Sequence, residues 1–249
     1  MTVKRPDQGR DPGPKVLAIE TATQCGSVAL LAGDVCLAEN TINSTTTHSR
    51  RITSQIEYVM RECGVEWVDL DCIAVSLGPG SFTGLRIGLS TAKGFSMACE
   101  IPLVGVPTLD ALALQMTGQP GTMICPVIDA RKNEIYCALY KCDSDGRPAL
   151  AGEYLVIHPG DLTGMIESPT LFIGNGTEVY GELFRRELGG KYLPAPVASF
   201  MPRAATVGMI GSGYFQDDKI GDPATMVPIY VRPSEAEVSL SEKQTRIKT

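Results

Sequence analysis

Two stretches of this chain run through the same order of patterns, and that repetition constrains the fold more than any other feature. From Val16 the first stretch reads as three short strands: VLAIET, GSVALLA after a turn at Thr23 to Gly26, and VCLAEN after the Gly33-Asp34 turn. Ile52, Ile56, Val59, Met60 and Cys63 then recur at helical spacing, with Ser and Thr upstream to cap the first turn and Gly64 to end the helix. CIAVSLG (72–78) is a continuous apolar run, as a strand buried on both faces requires, and GPGSFTG opens a second helix reaching about Ala98. The second stretch repeats the order: MICPVIDA and EIYCALYK as a hairpin, PALAGEYLVI as a third strand, a short helix after Pro159, the buried strand TLFIG, then GNGTEVYG leading into a helix over Val179 to Leu188. Gly78 and Gly174, at matching points, stand 96 positions apart.

Each stretch is a βββαβα unit. One reading is coincidence between two ordinary α/β units. The other is duplication, which is the plan of the sugar-kinase/Hsp70/actin (ASKHA) fold: an α/β protein of two similar lobes with a ligand cleft between them, here with a shortened second lobe. The expected organisation is a flexible leader (1–14), an N-terminal lobe (15–107), a C-terminal lobe (108–233) and a polar, disordered tail (234–249). TLDALALQM (108–116) is expected to cross between lobes, and a helix over 203–217 to return toward the junction.

Composition narrows the function. With 43% hydrophobic residues among 249, the chain can bury a sizeable core, and a net charge of −6 argues against autonomous binding along a phosphate backbone. No apolar run is long enough for a bilayer-spanning helix, and no apolar segment follows the basic residues of MTVKRPDQGRDPGPK, so a cytoplasmic location is expected. The eight cysteines form no Cys-x-x-Cys pair and read as reduced core thiols. HExxH and GxSxG motifs are absent, and neither His48 nor His158 lies near a plausible nucleophile in sequence.

Four features carry the candidate chemistry. Gly78, Gly80, Ser81 and Thr83 stand between a buried strand and a helix start, where backbone amides and the helix dipole favour an anion or a nucleotide phosphate. They equally suit a tight turn in which Ser81 or Thr83 caps the helix. Glu20 occupies the position where phosphoryl transfer in this fold class needs a carboxylate, but it can also simply accept hydrogen bonds from the adjacent turn. Asp129, its counterpart in the second unit, can cap the Arg131 to Asn133 turn. In the helix after the first loop, Leu85, Leu89 and Ala92 form one apolar side, and Ile87, Gly88, Thr91, Gly94, Phe95 and Ala98 cover much of the other. Arg86, Ser90, Lys93 and Met97 make only a narrow polar stripe. Either the protein's own helix over 49–63 covers the second side or a protein partner docks there.

VLAIETATQCGSVALL, THSRRITSQIEYVM, GPGSFTGLRIGLSTAKG, IDARKNEIYCALY and PIYVRPSEAE together resemble the bacterial TsaB (YeaZ) family over most of residues 15–237. The resemblance implies a non-catalytic paralogue of the threonylcarbamoyl transferase subunit TsaD. Such a chain pairs with TsaD and the ATPase TsaE to modify the adenosine following the anticodon of tRNA, contacts tRNA mainly through the complex, and forms a homodimer when alone. It implies no required cofactor, with ATP or ADP bound at the complex interface as a further option. It also implies no metal site, because His48 stands alone where the catalytic sister carries two histidines. Glu20 departs from the aspartate common in the family. By resemblance the pairing surface is a helix pair comprising His48, Arg51, Ile52, Gln55, Ile56, Leu85, Arg86, Leu89, Ala92 and Lys93. On that basis Leu89→Asp or Ala92→Arg should block a partner without unfolding the lobe. The alternative function is an ATP-dependent kinase or ATPase working in the inter-lobe cleft.

Overall fold

A computed structural model describes residues 13–231; the polar tail and all but the end of the expected leader lie outside them. The first sheet is β1 (Lys15–Glu20), β2 (Cys25–Ala32), β3 (Val35–Asn43), β4 (Cys72–Gly78) and β5 (Leu103–Pro107), in the order β3-β2-β1-β4-β5. β1, β2 and β3 form an antiparallel meander, and β4 and β5 add in parallel through α1 (Ile52–Cys63) and α2 (Phe82–Cys99). α1 stops at Gly64, whose left-handed backbone (φ 62°) lets its N–H reach Arg61 O while Val65 N–H reaches Met60 O.

Residue size alternates with the period of the strand and decides what packs on each face. Leu17, Ile19, Val28, Leu30, Ile73 and Val75 point to the α1–α2 side, where Ile56, Val59 and Leu89 meet them. Val16, Ala18, Ala29, Leu31 and Ala74 point to the other side, which α6 (Ala204–Gln216) covers through Ala204 and Val207. The small residues there let α6 sit close: a Cβ on Gly208 would strike Leu31, and one on Gly211 would strike Ala74. Glu39 on β3 fixes the helix start. Its carboxylate accepts from Arg203 Nε (2.9 Å) and from Ala205 N–H (3.0 Å), an ion pair laid on a helix N-terminus.

The second sheet repeats the plan with β6 (Met123–Arg131), β7 (Glu134–Cys137), β10 (Leu155–Ile157), β11 (Thr170–Ile173) and β12 (Tyr192–Pro194), in the order β10-β7-β6-β11-β12. The segments read as EIYCALYK and PALAGEYLVI each break in two. β7 pairs the later half of β6 and β10, whereas β8 (Tyr140–Cys142) pairs the start of β6 and β9 (Pro148–Leu150). β5 and β12, which lengthen both units by one parallel strand, were not expected. α4 (Pro159–Met165) and α5 (Gly176–Leu188) complete the second unit, α5 starting three residues earlier than expected.

The helix that follows each sheet packs on the other one. α3 (Thr108–Ala113) follows β5 yet sets Leu109, Leu112 and Ala113 against Ile124, Ile128 and Ile173, and α6 follows β12 yet covers the first sheet. Asp110 on α3 accepts from Tyr140 OH (2.5 Å) and Tyr154 OH (2.8 Å), tying the crossing helix to the second sheet. Cys25, Cys72, Cys125, Cys137 and Cys142 are buried thiols; Cys36 corrects the expectation of eight core thiols, because it is exposed on the edge strand β3. No helix among the described residues is long and apolar enough to cross a membrane.

Glycines within α6 should respond oppositely to substitution. Gly208→Val is expected to cost about 1–3 kcal/mol by overpacking the sheet. Gly213→Ala, where an added Cβ meets nothing within 4 Å, should gain up to about 1 kcal/mol of helix propensity. Urea unfolding of the two variants measures both.

Candidate functional site

The C-terminal end of β1 carries Glu20, fully buried. One carboxyl oxygen accepts from Ala22 N–H, closing the turn into β2, and the other, Oε2, is enclosed without a partner. Burial pushes its pKa up from 4.5 to about 7, with the Ala22 amide and the Ser76 hydroxyl offsetting part of the rise. The carboxyl therefore serves the turn that carries Thr21 and Ala22.

That turn meets the glycine-rich loop directly. Ser81 N–H donates to Ala22 O (2.6 Å), and Thr21 hydroxyl donates to Gly84 O (2.9 Å). A Cβ on Gly80 would lie 2.5 Å from Ala22 O, and one on Gly84 would run into Thr21 O. On its other side Gly78 (φ 109°) packs against Leu85 and the Ile229 carbonyl. Of the two uses open to Gly78, Gly80, Ser81 and Thr83, the geometry here is that of the tight turn: backbone oxygens of the chain itself occupy the space beside the glycines. Ser81 Oγ caps α2 by accepting from Gly84 N–H (3.3 Å), and Thr83 faces outward. In the second unit Asp129 does cap its turn, accepting from Arg131 N–H (3.0 Å), with Arg131, Lys132 and Asn133 all at positive φ.

Most of the residues expected to meet a partner face inward. Ile52, Ile56, Leu85, Leu89 and Ala92 are core, so Leu89→Asp or Ala92→Arg would disrupt the lobe itself. His48, Arg51 and Gln55 are buried too, and they fasten α1 to the β1–β2 turn and to β3. His48 Nε2 lies 2.8 Å from Thr23 O, and its Nδ1 lies 3.1 Å from Arg51 Nη2, which also donates to Gln24 O (2.8 Å). Gln55 Nε2 donates to Asn40 O (3.0 Å) and Oδ1 (2.9 Å). Both ring nitrogens of His48 are thus engaged; burial, with the Arg51 cation, holds its pKa below 6.5. Arg86 is exposed and Lys93 half-buried.

What α1 and α2 present outward is an open groove lined by Ser49, Thr53, Phe82, Arg86, Ile87 and Ser90, among others. Farther along α2 the second apolar side is partly covered: Gly88 is buried against Thr21, and Phe95 stacks on Trp67 at 4.4 Å between ring centroids. Gly94, Met97 and Ala98 stay exposed, and a Cβ on Gly94 would meet nothing within 4 Å. Sequence reasoning missed Phe82, Ser49, Thr53 and Tyr230. The last arrives on a return segment after α6, held by Gly221 N–H to Leu103 O (2.9 Å) and Ile229 N–H to Leu77 O (2.8 Å).

The profile of the family described as "TsaD: tRNA N6-adenosine threonylcarbamoyltransferase" matches residues 36–237. The chain is similar to "tRNA threonylcarbamoyladenosine biosynthesis protein TsaB" of Bacillus subtilis, 30% identical over 231 residues that cover 92% of this chain and 99% of that protein. Its fold is similar to the solved structure "YeaZ from Pseudomonas aeruginosa", with a TM-score of 0.70 and 26% identity, covering 87% of this chain and 99% of that one. The ethanolamine utilization protein EutJ from Carboxydothermus hydrogenoformans shares the fold alone, at a TM-score of 0.51 and 12% identity over 81% of this chain and 91% of that one.

Glu20 and His48 predict opposite pH dependences of stability. Glu20 holds its proton more tightly folded than unfolded, so its contribution is complete below pH 4.5 and lost as pH rises through about 7. His48, depressed, contributes fully above pH 6.5 and loses that contribution as pH falls below it. Glu20→Gln should therefore remove about 2 kcal/mol of the wild-type loss between pH 5 and pH 8 in urea unfolding. Parallel profiles for the two proteins would refute the assignment.

Proposed function

Because this chain belongs to the TsaB (YeaZ) family, we propose that it acts in tRNA threonylcarbamoyladenosine biosynthesis as a non-catalytic subunit, docking a TsaD-like transferase on the outer face of α1 and α2. A TsaE-like ATPase joins the assembly, and tRNA is engaged chiefly by the partner. When no transferase is present, the same face pairs two copies of the chain.

The observation that carries this reading is the use made of the first glycine loop. Its glycines admit the carbonyls of Thr21, Ala22 and Ile229, so the loop positions α2 instead of cradling a phosphate. The helix held this way exposes Phe82 and Gly94 of the GPGSFTGLRIGLSTAKG segment, and Met97 and Ala98 just beyond it. Exposed apolar and small residues beside a groove are what a partner helix needs for close approach. The buried His48, Arg51 and Gln55 support the face from beneath and make no direct contact with the partner.

Gly94→Arg tests the face without disturbing the fold, since its new side chain projects where nothing of this chain lies within 4 Å. Its melting temperature should match or exceed wild type, while its affinity for the TsaD-like chain falls by roughly 100-fold or more, about 2.7 kcal/mol. Reconstituted modification of tRNA should fail with this variant and without the chain altogether. Full modification in the absence of the chain would refute the subunit role.

A further inference from the structure

The first turn of α2 holds a cation in an unusual seat. The Arg86 guanidinium lies 3.8 Å from the centroid of the Phe82 ring, and its Nε donates to Tyr230 OH at 3.2 Å. Tyr230 itself packs on Phe82 with 5.4 Å between centroids. The three side chains hold one another, yet Arg86 is exposed, Phe82 is 37% exposed and Tyr230 39%. No carboxylate among the described residues lies in ion-pair range of Arg86. Tyr230 is brought there from the far end of the described chain by the Ile229 N–H to Leu77 O bond. A long-range contact is thus used to fix a surface arginine.

We propose that Arg86, positioned by Phe82 and Tyr230, is the anchor that receives an aspartate or glutamate of the partner docking in the α1–α2 groove; this rests on the docking reading above. An unrestrained arginine loses rotamer entropy when it pairs, and stacking removes much of that cost beforehand. With Nε engaged by Tyr230, the terminal nitrogens of this exposed guanidinium remain for a charge-assisted pair with a planar carboxylate. The seat borders a groove lined by Ile52, Phe82 and Ile87 together with serine and threonine hydroxyls. A buried carboxylate–arginine pair amid apolar contact is the composition of a protein–protein anchor. The chain's net charge of −6 would repel an acidic partner at long range, so this cation supplies register and residence time in place of steering.

Affinity of the full chain for the TsaD-like partner, measured by calorimetry or surface binding with dissociation rates, tests the proposal. Arg86→Gln should weaken binding 10-fold or more through faster dissociation. Arg86→Lys should not restore it, since lysine keeps the charge but not the stacked, planar fork. Tyr230→Phe, which frees the guanidinium while keeping the ring, should cost roughly 3-fold to 10-fold. All three should melt within a degree or two of wild type. Arg86→Glu should be rescued by reversing one partner carboxylate to arginine. If Arg86→Gln binds within twofold of wild type while Gly94→Arg abolishes binding, the docking face stands and the anchor is refuted. If Gly94→Arg also binds normally, the docking reading itself falls. If Arg86→Gln leaves partner affinity intact but removes salt-dependent binding of a tRNA transcript, the anion is an RNA phosphate and the proposal is wrong.

Discussion

The position of α2 depends on one seam, the contact between the Thr21–Ala22 turn and the first turn of the helix. Two hydrogen bonds cross it, from Ser81 N–H to Ala22 O and from the Thr21 hydroxyl to Gly84 O. They form only because glycine at positions 80 and 84 lets backbone approach backbone. Glu20 lies beneath, and its bond to Ala22 N–H sets the turn that the loop meets. His48 and Arg51 hold the same turn from the α1 side through the carbonyls of Thr23 and Gln24. One four-residue turn therefore fixes both helices relative to β1, and the groove between them is a consequence of that double attachment.

This arrangement explains why a motif that resembles an anion cradle is compatible with a docking role. The same glycines that would admit a phosphate admit a carbonyl, and which of the two is accepted depends on what the neighbouring turn offers. Here the turn offers Ala22 O at 2.6 Å from the Ser81 nitrogen, so the amide is spent within the fold. Burial raises the Glu20 pKa to about 7, and one of its oxygens accepts from Ala22 N–H, so the group closes the turn from within the core.

The repeated order of strands and helices was legible because it rests on local patterns: the size alternation of β1, the glycine end of α1, the Ser81 cap. The sequence also marked α2 as apolar on two sides. It could not tell which residues of the helix pair face outward, because that is decided by Trp67, which covers Phe95, and by Thr21, which covers Gly88. A helical wheel places residues around an axis but does not name the neighbours of each side. β5 and β12 escaped notice as five-residue and three-residue strands without alternation. Tyr230 escaped because its significance lies in a contact with Arg86 across 144 positions, which no local pattern encodes.

The exchange of helices gives the shortened second unit a structural purpose at the α1–α2 groove. The chain leaves the first sheet through α3, which is committed to the second sheet by Leu109, Leu112 and the bonds of Asp110 to Tyr140 and Tyr154. It comes back as α6, clamped to β3 by the Glu39–Arg203 pair and seated on the alanines of β1, β2 and β4. Only after that return can residues 217–230 run past β5 to Leu77 and set Tyr230 on Phe82. The groove is walled by the first unit alone, but the orientation of Arg86 at its lip depends on a segment that must first traverse the second. The second unit need hold no ligand to matter for the first: its sheet provides the path, and α6 the anchor, for the strap that sets Tyr230 on Phe82 at the lip of the groove.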